Sequence, residues 1–267
     1  MAANTTLQPR TGNQWWRGLG PLLRREHRLW WASRRWLVQT ALWTLLLNGL
    51  LLGGLYLLPP IASADGLPMS HDDVLELGRQ IFFGLGILAL SLGAIVLLQD
   101  SIIEEKNNGT AEWVLSKPVS RPAYVLAKLL PNLLGMAVTM LLVSGIFGLL
   151  ILRTFDPVAF SLSGFLMAQG IVALHLFFYI TLTLMLGVLL SSRAPLLGIA
   201  IASLVGGSMI PVVEIVQFTP WILGELVVLP LLGVPPPPMA ITMLVSTAVW
   251  SLIFIGIAIW QFNRHEF

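Results

Sequence analysis

The sequence predicts an all-α, polytopic membrane protein: six transmembrane helices, an N-terminal interfacial amphipathic helix, and a broken outer helical segment before the last span. Three observations predict it. The 267-residue chain is 56% hydrophobic and only 10% charged, whereas a soluble domain carries roughly 25% charged residues. A surface so poor in charge must be covered by lipid. Six apolar stretches each reach the ~20 residues that cross a bilayer at ~1.5 Å per residue. The basic residues also segregate. With the N-terminus inside, thirteen of the fifteen Lys and Arg fall on inner segments and only Arg79 and Arg153 fall outside. That asymmetry sets orientation.

Residues 1–35 are polar and arginine-rich, with no small-residue cleavage site after a short apolar run, and read as free of a signal peptide. At helical spacing Arg17, Arg24, Arg28 and Arg35 share one face, and Trp15, Leu19, Leu22, Leu23 and Trp30 the other. Such a helix, starting near Pro21, is expected in the headgroup plane with its arginines toward anionic lipid. Glu26 sits on the apolar face and breaks the pattern.

The transmembrane domain is read as residues 36–262. Its spans are 36–58, 79–99, 124–152, 165–190, 195–217 and 239–262, with a cytoplasmic tail at 263–267. An even number of spans returns the C-terminus to the N-terminal side. The fourth and fifth spans form a tight hairpin over Ser191, Ser192, Arg193 and Ala194. The outer loop after the first span carries Asp65, Asp72, Asp73 and Glu76. The outer segment 218–238 is apolar but interrupted at Pro220, Pro230 and Pro235 to Pro238. It is too short for two full crossings, so half-helices re-entering the outer leaflet are expected, shielded by protein.

Few residues within the spans carry chemistry. Glu214, three residues after Pro211, is a carboxylate at membrane depth and a candidate for the transport path or gate. His175 lies mid-span and reads as a hydrogen-bonding histidine; a haem held between spans wants a second histidine at matching depth, and His27, His71 and His265 lie elsewhere. Gly198, Ala202 and Gly206 are spaced for close helix packing, within the bundle or between subunits. There is no cysteine, which excludes disulfides, thiolate metal sites and cysteine nucleophiles. The net charge of +2 is no nucleic-acid signal. There is no phosphate-binding G-x-x-x-x-G-K-[ST] run and no metalloprotease or serine-nucleophile motif. No metal or other cofactor is expected on this chain, and any ATP and Mg²⁺ would belong to a partner subunit.

The segment 100–122 joins the second and third spans. Asn108-Gly109 makes a turn. Thr110 is expected as an N-cap with Glu112 in the first turn of a short helix over 111–116. Pro118 stops it, and Ser120 with Pro122 starts the next span. The short helix presents Trp113, Val114 and Leu115 among charges, a docking knob for another polypeptide.

Glu104-Glu105-Lys106, Gly109-Thr110, Val114-Leu115-Ser116, Pro118-Val119-Ser120-Arg121 and Lys128 together resemble the second-to-third-span loop of exporter-class ABC transporter permeases. The match covers about 25 residues; elsewhere the resemblance lies in the layout. It implies a transmembrane subunit that pairs with a second permease copy, as homo- or heterodimer, in lipids of the cytoplasmic (plasma) membrane, the inner membrane of a cell that has two. Two cytoplasmic ATPases would drive it. Glu104, Glu105, Gly109, Thr110, Trp113, Leu115, Ser116, Pro118, Ser120 and Arg121 would then form the coupling contact, and 218–238 an outer gate. Trp113 departs from the family's leucine, which sets its expected ATPase groove apart from the standard one.

The alternative is a permease-like scaffold in another membrane complex; co-purification with an ATPase separates the two. An enzyme or electron-transfer subunit would need paired intramembrane histidines or a carboxylate cluster, which the sequence lacks. The scarcity of polar groups in the spans favours an apolar or lipid-like cargo.

Overall fold

The computed structural model describes residues 15–158, 160–206 and 218–264. Among these every regular element is helical. In chain order they are α1 (Leu19–Trp31), α2 (Arg35–Ala64), α3 (71–98), α4 (Ile103–Asn107), α5 (Thr110–Leu115), α6 (Arg121–Phe155), α7 (Leu162–Leu189), α8 (Arg193–Gly206), α9 (Pro220–Leu231) and α10 (Ala240–Arg264).

Among the described residues five helices are long and apolar enough to cross a membrane: α2, α3 with its continuation, α6, α7 and α10. The fifth stretch read from the sequence is described only as far as Gly206, where α8 fills its first part. Residues 207–217, with Pro211 and Glu214, lie outside the described residues.

Helix ends follow their caps rather than the edges of the apolar runs. Ser70 and Asp73 form a reciprocal capping box, with Ser70 Oγ accepting from Asp73 N and Asp73 Oδ2 accepting from Ser70 N at 3.0 Å. The second span's helix therefore begins eight residues before the apolar run starts at Arg79. Ser120 Oγ caps α6 and Ser161 Oγ caps α7. The first helix continues through Pro59-Pro60 to Ala64, past the expected end at Leu58. A π turn at Gly53–Leu57 precedes the prolines, so they fall in the first turn of a new α segment. A missing N–H is tolerated at that position.

The core forms around α7. Eighty-three per cent of its apolar window is buried, against 22% for α10, and no residue from Leu162 to Leu189 is charged. A helix apolar on every side belongs inside a bundle. It packs between α3 and α10. Glycines allow these approaches: a Cβ at Gly93 would meet the Trp43 indole at 2.1 Å, and one at Gly148 the Phe82 ring at 2.3 Å. Gly198 and Gly206 differ, since no described atom lies within 4 Å of a Cβ built there. Neither glycine of the α8 stripe makes a close approach to another described element.

The N-terminal helix departs from expectation. It starts at Leu19, before Pro21, and its buried face (Leu22, Glu26, Trp30) lies against α6 rather than lipid. Residues 15–30 follow 120–135 in the same direction. Ser120 N donates to Arg17 O (2.9 Å), Glu26 pairs with Lys128 (2.8 Å), and a Cβ at Gly135 would lie 2.2 Å from the Trp30 ring. The reason is length. At 35 residues, α6 is about 52 Å long, while hydrocarbon spans ~30 Å and tilt rarely exceeds ~40°. The excess gives α1 a protein surface to cover.

Candidate functional site

Among the described residues the segment 100–122 lies at the bundle end shared by α1, the α7–α8 hairpin and the tail of α10. The chain leaves α3 by a turn at 99–102 and forms α4, a helix the sequence reading did not anticipate. Gly109, at φ 72°, turns the chain into α5; this left-handed conformation favours glycine. Gly109 holds the N-cap position, one residue before the expected Thr110, because Asn108 Oδ1 already accepts from Thr110 N at 3.1 Å.

Helix α5 divides its side chains cleanly. Ala111 and Val114 are buried and Leu115 is half-buried, while Glu112, Trp113, Ser116 and Lys117 face outward. Trp113 is 62% exposed, with Lys117 Nζ 3.4 Å from its ring centroid. This cation–π contact covers one face of the exposed indole. Beside it a groove of 390 Å³ runs between α1 and α5, lined by Pro21, Leu22, Arg25, Trp113, Val114 and Lys117. Pro118 is exposed. Ser120 ties this end to the N-terminal segment, its hydroxyl donating to Trp15 O at 2.5 Å. Arg121 donates to the carbonyls of Phe262 and Asn263 at the end of α10, a favourable place for a cation.

Beneath α5 lies a buried charge cluster built from three elements. Lys128 of α6, 6% exposed in its side chain, sits 2.8 Å from Glu26 of α1 and 2.8 Å from Glu105 of α4. Arg25 reaches Glu105 at 3.1 Å, and Tyr124 donates to its other oxygen. Two cations thus face two carboxylates. Buried charges persist only when paired and hydrogen-bonded, and here the pairing binds α1, α4 and α6 together. Sequence reasoning placed Glu105 on the docking surface; the structure turns it inward. Glu104 is exposed and lines a 560 Å³ polar cavity with Arg35, Asp100 and Asn132. Lys106 donates to three carbonyls at the end of α7, and Arg193 of the α7–α8 hairpin pairs with Asp100 in the turn after α3.

The roles of Glu26, Lys106 and Lys128 went unread in the sequence, though two carried a signal. Glu26 is a carboxylate on the apolar face of α1, and Lys128 a cation inside an apolar stretch. Each is out of place alone, and each supplies the other's counter-charge.

The opposite end is quieter. Helix α9 packs on the start of α7, where a Cβ at Gly164 would lie 2.3 Å from Pro230 O. An apolar groove of 600 Å³ runs there between α7, α9 and α10, lined by Ile171, Leu174, Leu226, Leu229 and Leu244 among others. His71 bridges to Asp156 at 3.1 Å. In the interior, His175 shares a 2.7 Å hydrogen bond with Ser91 of α3, a neighbouring-helix contact.

A family model described as ABC-2 family transporter protein matches residues 34–220. No curated protein sequence matches the chain.

Proposed function

The chain belongs to the ABC-2 family of transporter proteins, and from that premise we propose that it is the membrane subunit of an ATP-driven exporter, coupled through α5 to a separate cytoplasmic ATPase. It is a multi-pass membrane permease. The observation that carries the coupling reading is Trp113: a large exposed aromatic side chain stacked under Lys117, on a helix whose other face is anchored in the bundle. Exposed aromatic residues of this kind anchor protein interfaces. On this reading Trp113, Leu115, Ser116 and Pro118 meet the ATPase, Glu104 and Thr110 border the contact, and Gly109 sets its angle. Ser120 and Arg121 hold the ends of the peg to the N-terminal segment and to α10.

In this proposal the basic end faces the cytoplasm, since Lys and Arg are retained there. Residues 195–217 complete a sixth span, and both termini lie inside, in the cytoplasmic membrane. A second permease copy, identical or related, completes the translocation path. ATP and Mg²⁺ bind the partner ATPase, and this chain holds no nucleotide or metal of its own. Segment 218–238 forms the outer gate with Pro211 and Glu214 beside it, and the cargo is apolar or lipid-like, in keeping with the scarcity of polar groups in the spans.

The test is co-purification. The tagged chain, extracted from its own membranes in mild detergent, should bring a P-loop ATPase with it in stoichiometric amount. Trp113→Ala should weaken that association roughly thirtyfold, the ~2 kcal/mol of an interface hot spot. A wild-type chain that elutes with other membrane subunits and no ATPase would make it a scaffold and end the transport reading.

A further inference from the structure

Adjacent side chains of α4 point in opposite directions and grip different helices. Glu105 faces α1 and α6, where it meets Lys128, Arg25 and Tyr124. Lys106 faces the other way. Its Nζ donates to Leu190 O at 2.8 Å, Val188 O at 3.0 Å and Gly187 O at 3.3 Å. These carbonyls close a 28-residue helix, and the last turn of any helix leaves its acceptors without intrahelical donors and partially negative. An ammonium group brings three N–H donors. The contact therefore satisfies one Lys106 and three orphan carbonyls at once.

The anchor points differ in what they reach. Helix α6 with α1 forms one packed unit at the basic end. Helix α7 is the buried axis of the bundle, and its far end touches Pro230 of α9 through Gly164. Helix α4 lies between these anchors and α5, linked to α5 through Asn108 and Gly109 and packed against it. A displacement of α5 has two charged handles by which to enter the bundle.

We propose that Glu105 and Lys106 are positioning residues that divide the movement of α5 between two routes: Glu105 carries it to the α1–α6 unit and Lys106 carries it to α7 and so to the opposite end. The transmission half of this inference rests on the reading of α5 as the ATPase contact. The division into two arms is a property of this chain alone. Neither residue touches the partner; both act through the helices they hold.

The experiment compares Glu105→Gln and Lys106→Met by amide hydrogen exchange, first on the full purified chain and then on its complex with the co-purified ATPase. Lys106→Met should speed exchange of the amides at 186–190 by roughly tenfold, as expected for loss of charge-assisted hydrogen bonds, and leave 19–31 at the wild-type rate. Glu105→Gln should do the reverse. In the complex, ATP should change exchange in both segments of the wild type. Each variant should lose that response in its own segment only, with ATP hydrolysis kept within about twofold. A residue with a merely structural role would loosen both segments together or stop hydrolysis; either result overturns the proposal, as does wild-type exchange in both variants. Should Lys106→Met fail to fold, Lys106→Gln, which keeps two donors, should give the same local pattern at smaller amplitude, and uniform loosening there overturns it equally. A wild-type chain without an ATPase would sink the proposed function, while exchange on the free chain would still decide the two arms.

Discussion

Glu26 and Lys128 show how much of this protein is decided by single charged groups. Lys128 lies in contact with two carboxylates from two other elements. Lys128→Met leaves Glu26 buried without its counter-charge and Glu105 with Arg25 and Tyr124, and loss of a partner from a buried ion pair costs about 3–5 kcal/mol. The expected result is a clear fall in the thermal unfolding midpoint in detergent. Glu26→Gln leaves Lys128 beside Glu105 and should cost about 1.5–3 kcal/mol, the range for one hydrogen bond to a charged group. Equal losses from the two variants would mean that the cluster does not act as a network. Trp113 makes the contrast. It is exposed, and its bond to Lys117 contributes about 0.5–1 kcal/mol at such a site. Trp113→Ala should therefore leave the unfolding midpoint almost unchanged while weakening the partner.

Close approach governs the elements. Gly164 faces a backbone carbonyl, Pro230 O, which cannot rotate aside as a side chain can. Gly164→Ala should displace α9 from the start of α7 and destabilise the protein by about 1–3 kcal/mol, the usual penalty of overpacking. Gly170, six residues further along α7, has no described atom within 4 Å of its position for a Cβ. Gly170→Ala should be neutral or stabilising by up to ~1 kcal/mol, from helix propensity alone. Unfolding midpoints of the pair check the comparison, and a neutral Gly164→Ala would show that α9 is not seated on α7. At the other end, Ser120 both caps α6 and holds the Trp15 carbonyl. Ser120→Ala should cost about 1 kcal/mol or more and should free residues 15–18 to proteolysis.

At the scale of the whole molecule, the helices sort by charge at their ends. The N-terminal segment, 100–122, the α7–α8 hairpin and the tail of α10 meet at one end through Ser120, Lys106, Arg193 and Arg121. His71, Asp156 and α9 lie at the other. The cysteine-free sequence allows this arrangement to be read by single introduced cysteines. In sealed, right-side-out vesicles Asp65→Cys should react with a membrane-impermeant maleimide, and Ser116→Cys and Ser192→Cys should react only after permeabilisation. Reaction of Ser116→Cys from outside would invert the topology and remove the ATPase reading with it.

The helical membrane class and the charge asymmetry were legible in the chain before any packing was known. These depend on composition and on order along the chain, because lipid selects apolar runs of a given length irrespective of neighbours. The sequence also located the loop that carries the peg, since turn residues, proline and capping serine act locally. The tertiary structure decided what the charges do. It turned Glu105 inward, brought Lys106 to the end of α7, and replaced lipid by α6 on the apolar face of α1. Each of these contacts joins residues some eighty or more positions apart. A buried charge is stable only beside its counter-charge, and which partner it finds depends on how the helices pack, information that no local pattern contains.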